Sequence, residues 1–576
     1  MPGFFSLEGA KQALGVTETL ESCLQQQAAA HQATEPTATR RWWEQEANTR
    51  WAKVDHLLYL PVLGLTRPRD LYYYQGPGLA ALYGFTYKYM TVEHFLGRLS
   101  RLQAGQPLAL ALSRGYTQAW YPGDSPLRIY ADWHVKPHWT KQASQSGAVT
   151  MWGRIMPGTK QLLINGPAGQ PLLGLNRPID RHLNGELVDL EETLTAQWQR
   201  PIGLTIFDSE GGGLPLGQRY LAANRPYLSH LPRPGYKLAA FDTLGDWQPV
   251  RADPAREVVL ARWRDPTKAE TDHRDLVLLR RLGDTDPTRV YVGKLPVGLP
   301  LADVPGLYRS RWGCQERVIR ELVNGANLNA NFGYASREVP NRTIQRQWTE
   351  AQEQVESSER QVAALRQAGR NLWRQQHSLD QTYQPQQQAL RRQLQSHQAD
   401  FLARQAAGQP LRRCQQRLAR TFAHLDQARQ RYQRQRDKHQ AKLDQLKARL
   451  AQATAALAHR RQARDALDTA SLYRERNLEK DQVMLNLQLL LTHLHHWARS
   501  AFFAPEWQQL ELKTALELIY RKPGWVQWGT DTIEVVLTPY RYPEQQQAMV
   551  ETCRRFNAAK LHWRDGRRLL IRVALP

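Results

Sequence analysis

The segment Pro201-Ile-Gly-Leu-Thr-Ile-Phe-Asp208-Ser-Glu-Gly-Gly-Gly213 constrains the fold more than any other. Ile202, Leu204, Ile206 and Phe207 make a short apolar run that reads as a buried strand, and the run ends on a carboxylate followed by a glycine-rich turn. Such a strand delivers an acid to its carboxyl end, the edge at which open α/β sheets place their ligands. Asp208 would serve equally well as a cap on the turn or on the next helix. The rest of the sequence decides between the two roles.

Upstream, residues 1–124 read as a helical region. Leu57 to Leu65 is apolar, and Leu79–Gly84 followed by Thr91–Leu102 suggests two helices around a turn. Val92, Phe95, Leu96, Leu99 and Leu102 share one face and leave Arg98 and Arg101 outside, a pattern common to DNA-reading helix pairs and to any small bundle. Residues 125–335 mix strands and helices. Leu127, Ile129 and Ala131 alternate with Arg128, Tyr130 and Asp132, which predicts a strand carrying Asp132 at or near its end. Strand material follows at 149–156 and 162–175, with the turn-rich tract Ile164–Gly169 as a hairpin, and Leu183, Leu187, Leu190 and Leu194 predict an amphipathic helix before the Asp208 strand. Between about 236 and 298, short apolar runs at 237–241, 258–263, 276–279 and 290–295 suggest a β-rich insertion carried on the main sheet. Helix returns from Leu301 to Val323 with Glu316 inside it.

Three short motifs in this region fit one another: Tyr130-Ala-Asp132-Trp-His134, Ile206-Phe-Asp208-Ser-Glu-Gly211 and Arg309-Ser-Arg311-Trp312-Gly-Cys-Gln315-Glu316. Together they resemble bacterial insertion-sequence transposases of the DDE type, in the group whose acids lie in Asp-Gly-His, Phe-Asp-Arg-Glu-Gly and Arg-Trp-x-Gln-Glu. The chain departs from that pattern at Trp133, at Ser209 and in the Gly313-Cys314 spacer, which is one residue longer. The resemblance implies an α/β, ribonuclease H-like catalytic core, with Asp132 on the first strand, Asp208 after the fourth and Glu316 on a later helix. It further implies binding of two Mg²⁺ ions, replaceable by Mn²⁺, with Asp132 bridging both, Asp208 on one and Glu316 on the other. Two cations can activate an attacking oxygen and stabilise a leaving one, so no protein nucleophile is needed. His134, Arg309 and Arg311 are candidate contacts to the DNA backbone, against structural or solvated roles for each. Glu210 is a weaker candidate for a fourth carboxylate and a natural turn cap.

Residues 336–475 differ in kind. Positions 341–470 hold 24 Lys and Arg against 11 Asp and Glu, with 28 glutamines. Leu443, Leu446, Leu450, Ala453 and Leu457 follow a 3-4-3-4 rhythm, extended upstream by Leu425, Ala428 and Tyr432 after a phase slip at His439. A long helical hairpin or coiled coil is expected, with bends at Pro385 and at the Gly408-Gln-Pro410 tract. Residues 476–576 predict an apolar helix at 483–497 and a small α/β unit made of strands 532–537 and 569–573 with a helix at 543–559.

The 77 Lys and Arg against 54 Asp and Glu leave a net charge of +23, which favours a polyanionic partner. Cys23, Cys314, Cys414 and Cys553 form no paired motif, so neither a disulfide framework nor structural zinc is suggested. No apolar run reaches the length of a membrane span and no leader pattern opens the chain. The expectation is a cytoplasmic, nucleoid-associated DDE transposase without membrane contact, which binds transposon ends and target DNA and acts as a homodimer assembled on DNA. A related nuclease without strand transfer, or a catalytically decayed DNA-binding coiled-coil protein, are the alternatives.

Overall fold

The computed structural model describes residues 5–33, 42–45, 49–73, 88–140, 144–232, 236–333 and 335–575. The protein is mixed α/β, with one large mixed sheet and long helices. It divides into two compact units: Met1–Arg337 with Arg474–Pro576, and Glu338–Tyr473.

The first unit is built on ten strands: β1 (Leu127–Pro137), β2 (Ser146–Val149), β3 (Arg154–Asn165), β4 (Pro171–Pro178), β5 (Ile202–Phe207), β6 (Tyr227–His230), β7 (Phe241–Val250), β8 (Asp253–Trp263), β9 (Asp275–Arg281) and β10 (Arg289–Lys294). The order is β2-β3-β1-β5-β6-β10-β9-β8-β7, with β4 on β3. β3 pairs antiparallel with β1 and β4, while β1, β5 and β6 run parallel. The 236–298 region thus extends the main sheet as antiparallel strands. The apolar run of β5 is explained by cover on both faces: Phe207 joins Ile129 and Ala131 in one core, and Leu204 and Ile206 join Tyr130 in another.

Several expectations are corrected. Asp132 lies in the middle of its strand, because β3 goes on pairing with Trp133–Pro137 after the parallel partner β5 has ended. The 149–156 tract is a hairpin: β2 stops at Val149, a tight turn covers Thr150–Trp152, and Gly153, at φ +60°, reverses the chain into β3. The strand expected at 237–241 begins only at Phe241, after a 3₁₀ turn at Leu238–Ala240, and runs to Val250. The segment 79–84 lies outside the described residues.

Helix Glu479–Ala501 is the axis of the larger core. Every residue from Asp481 to His496 is buried, polar ones included, because the polar ones find partners: most bond to backbone, Asp481 pairs with Lys136 and His496 with Glu321. Gln482 donates to the Gly174 carbonyl at 2.8 Å and accepts from Asn176 N–H at 2.6 Å; Asn486 donates to the Gly105 carbonyl at 2.7 Å. Gly174 permits this approach, since a Cβ there would lie 3.0 Å from Leu485. Helix Tyr89–Arg101 buries Val92, Phe95, Leu96 and Leu99 as its pattern requires, and Arg98 lies over the Trp42 ring. The C-terminal residues form a helix, Pro543–Ala558, on a three-stranded sheet of Gly524–Trp528, Thr532–Leu537 and Arg568–Val573. The regions 1–124, 125–335 and 476–576, separable in sequence, share one apolar core from Phe5 to Val573.

The second unit is a helical hairpin, Arg342–Ala406 and Arg412–Asp465. Its seam is narrow: Thr421, Leu425, Ala428, Tyr432, His439, Leu443, Leu446, Leu450, Ala453 and Leu457 are the covered positions over that stretch of the second helix, the rhythm seen in sequence. Pro385 does not break the first helix. The Tyr383 and Tyr432 rings stack at 4.0 Å and Tyr432 donates to Asp380 at 2.7 Å, clamping the turn that contains the proline onto the returning helix. The chain turns instead at Gly408, φ +62°.

Candidate active site

The last register pair between β1 and β5 is Ala131 with Phe207. Asp132 and Asp208 are the next residue on each strand and so stand side by side where the parallel pairing ends. Each accepts a hydrogen bond from the following backbone N–H, Trp133 at 2.8 Å and Ser209 at 2.7 Å. Asp208 therefore does cap its turn, with one oxygen, while facing the site. The turn packs against β6 through Gly212, where a Cβ would stand 2.1 Å from the His230 carbonyl oxygen.

Glu316 comes from the helical stretch 304–325. Helices Val304–Arg311 and Arg317–Gly325 are joined through a π-helical turn, Trp312–Glu316, without a break. On a regular α-helix, residues five apart point about 140° away from each other. The wider π turn brings Arg311 and Glu316 onto one face, 3.8 Å apart. The spacer residue that lengthens the motif is thereby absorbed. Asn165, at the end of β3, donates to the Cys314 carbonyl at 2.9 Å and satisfies part of the turn that a regular helix would have bonded internally.

Arg311 is the centre of the cluster. Its guanidinium lies 3.0 Å from Asp132 Oδ2, 3.6 Å from Asp208 Oδ1 and 3.8 Å from Glu316 Oε1, and it also donates to Gln315 at 3.3 Å. The Tyr308 hydroxyl donates to Asp208 Oδ1 at 3.3 Å, and the His230 ring is 3.7 Å from the same oxygen. Burial pushes the Asp132 carboxyl up to about 7, assisted by Asp208 and Glu316 and opposed by Arg311. The more open Asp208 is held well below the usual carboxylate range by His230 and Arg311. The three acids line a pocket of about 450 Å³ whose other walls include Trp133, Val149, Met151, Ile319 and Val323.

The remaining candidates divide. His134 is on the pocket wall but buried, with Nε2 bonded to Asn329 at 2.7 Å, and burial lowers its pKa; a positioning role in the wall suits it better than a contact to phosphate. Arg309 points away from the acids, toward Asp253 at 3.7 Å, into a second groove of about 430 Å³ that also holds Arg256, Arg289 and Tyr291. Glu210 turns to His182, 3.3 Å, and Lys160, 4.0 Å. Sequence reasoning missed Tyr308, His230 and Asn165. Tyr308 had a signal, three residues before Arg311 on one helix; β6, which carries His230, is too short to show a pattern.

The donor set is all oxygen and partly open to solvent, the chemistry preferred by hard divalent cations. Among the described residues no three His, Cys, Asp or Glu side chains converge closely enough to cage a metal as they stand, and the guanidinium occupies the point toward which these three turn. Among the described residues, no helix is long and apolar enough to cross a membrane. Compared with known proteins, the chain matches no family model and no curated protein.

Proposed function

We propose that the protein is a DDE-type transposase that cuts and joins DNA at the ends of an insertion sequence, with a ribonuclease H-like catalytic core. The observation that carries this reading is the convergence of Asp132, Asp208 and Glu316, from two adjacent parallel strands and a helix, on one pocket. The strand order β4-β3-β1-β5-β6, antiparallel then parallel, is the order such a core requires and supports the same reading. Asp132 and Asp208 would hold divalent cations from the sheet and Glu316 from the helix, with Mg²⁺ the natural ion and Mn²⁺ a substitute. Bound cations would activate water or a DNA 3′-hydroxyl and stabilise the departing 3′ oxygen.

The chain's own residues supply the rest. Tyr308 and the Ser209 N–H both donate to Asp208 Oδ1 and orient its carboxylate, and Trp133 N–H fixes Asp132 Oδ1. Arg311 offers a planar fork to a phosphodiester at the acids. Tyr308 stands between Arg311 and Arg289, each guanidinium under 6 Å from its ring, so a strand leaving the acids would pass over Tyr308 to the groove of Arg256, Arg289 and Arg309. The basic hairpin is a further surface for DNA or for a second copy of the chain on DNA. A DNA-bound protein of this kind would work in the cytoplasm, on the nucleoid.

The test is a plasmid carrying the coding region with its native flanks, incubated with purified protein and Mg²⁺. Breaks at discrete flanking positions that vanish with EDTA and with Asp208→Ala are expected, and joining of the 3′ ends to a second DNA would distinguish a transposase from a nuclease. Flank binding with no cleavage would overturn the catalytic reading.

A further inference from the structure

Arg311 has two incompatible claims on it. Its guanidinium contacts all three carboxylates, and its planar fork suits a phosphodiester brought to those acids. A cation shared by Asp132 Oδ2 and Glu316 Oε1 would bind at about 2.0–2.1 Å from each oxygen. One guanidinium nitrogen already lies 3.0 Å from the first and 3.8 Å from the second. A guanidinium and a divalent cation on the same oxygens would stand within a few ångströms and repel each other, so metal uptake is opposed until the guanidinium moves away.

We propose that Arg311 gates metal loading: it holds the carboxylates as a closed ion cluster, and a DNA phosphate draws it off, so that DNA and divalent metal bind cooperatively. This rests on the reading of the three acids as a metal site. Three features fit the gate. Arg311 is only 12 % exposed, so its charge is directed at the acids instead of being spent in water. It precedes the π turn, a local irregularity of the kind that often marks functional positions in helices. The open side of the pocket, where Asp208 and Glu316 are about two-fifths exposed, lets a phosphate reach the fork. The chemical logic is that a charged site would stay closed to free metal until the bond to be cut is present.

Linkage makes the gate measurable without turnover. If DNA tightens metal binding by some factor, metal tightens DNA binding by the same factor. Mn²⁺ binding to the full-length protein can be followed by the electron paramagnetic resonance of free Mn²⁺, with and without a short mixed-sequence DNA duplex. Wild type should bind Mn²⁺ roughly tenfold or more tightly with the duplex present. Arg311→Gln should bind Mn²⁺ roughly tenfold more tightly than wild type without DNA, and gain little from the duplex. Arg317→Gln removes an equal charge beside Glu316 from a residue whose partner is Glu511, and should behave as wild type. Asp132→Asn should abolish the site in every condition; Mn²⁺ binding that survives it would overturn the metal-site reading itself. Binding that needs Asp132 but is no tighter in Arg311→Gln would overturn only the gate. Should the variant not fold, the wild-type protein still decides: duplex affinity unchanged by Mn²⁺ would overturn the gate.

Discussion

Glu316 and Glu321 are one helical turn and a half apart, yet they inhabit opposite environments. Glu316 faces the pocket, partly exposed, with Arg311 as its charged neighbour. Glu321 faces the core, where it accepts the Leu512 N–H at 2.9 Å and meets His496 at 3.1 Å and His495 at 3.7 Å. β1 repeats the contrast on one face: Asp132 stands at the pocket, and four residues on, Lys136 is sealed against Asp481 at 2.6 Å. The difference teaches that charge at the pocket is arranged to be exchanged, whereas charge in the core is arranged to be kept. An ion pair with water on one side can be replaced by another ion; one closed on all sides leaves a bare charge when broken.

The comparison is broken most directly on the pocket side. Asp132→Asn and Asp208→Ala should each lower cleavage by about a thousandfold or more, while circular dichroism shows native folding. Core-side changes should do the reverse. Lys136→Met leaves Asp481 buried without its partner and should cost about 3–5 kcal/mol in denaturant unfolding; a loss under about 1 kcal/mol would show that this pair is not closed.

Glu321 permits a sharper test through pH. Burial raises its pKa, but the hydrogen bond and charge of His496, with the Leu512 N–H, outweigh that and hold it at about 2. His495 itself is pushed down to about 3 by burial and stays neutral at physiological pH. Because the folded-state pKa lies below the unfolded value near 4.3, the stabilisation is present above about pH 4.5 and is lost as pH falls toward 2. Its size is on the order of 3 kcal/mol. Glu321→Gln should therefore lower Tm at neutral pH and flatten the acid limb of stability against pH. The matched change Glu316→Gln should alter stability by less than about 1 kcal/mol and still abolish cleavage. Equal Tm losses for the two would erase the distinction. The smallest effect is expected from deleting Gly313, which converts the π turn to a regular helix with Arg311 and Glu316 four apart, again on one face. Cleavage should fall by no more than about tenfold; a complete loss would show that the π turn itself positions the acid.

Asp208 was legible because a carboxylate at a strand end leaves a local signature: an apolar run, an acid, a glycine turn. The seam of the hairpin was legible for a similar reason, since one period governs it. What could not be read depends on contacts across long sequence separations. The interior of helix 479–501 contains Gln482, Asn486, His493 and His495, which look like surface residues until their backbone partners on other elements are known. Arg311 looked like one of two equivalent basic residues beside Glu316. Two residues apart on one regular helix, they point to opposite sides, Arg309 to Asp253 and Arg311 to the acids. Pro385 misled because a helix breaker was judged without the tyrosine pair that holds it in place.

The position of helix 479–501 also sets a schedule for biosynthesis. Gly174 on β4 is covered by Leu485, which the ribosome adds 311 residues later. At about 5–20 residues per second, that is roughly 15–60 s during which the strands bearing both aspartates exist without the helix that closes their core. The long basic hairpin is translated within that interval. A nascent chain therefore has the three acids of the pocket well before the helix that completes the scaffold beneath them.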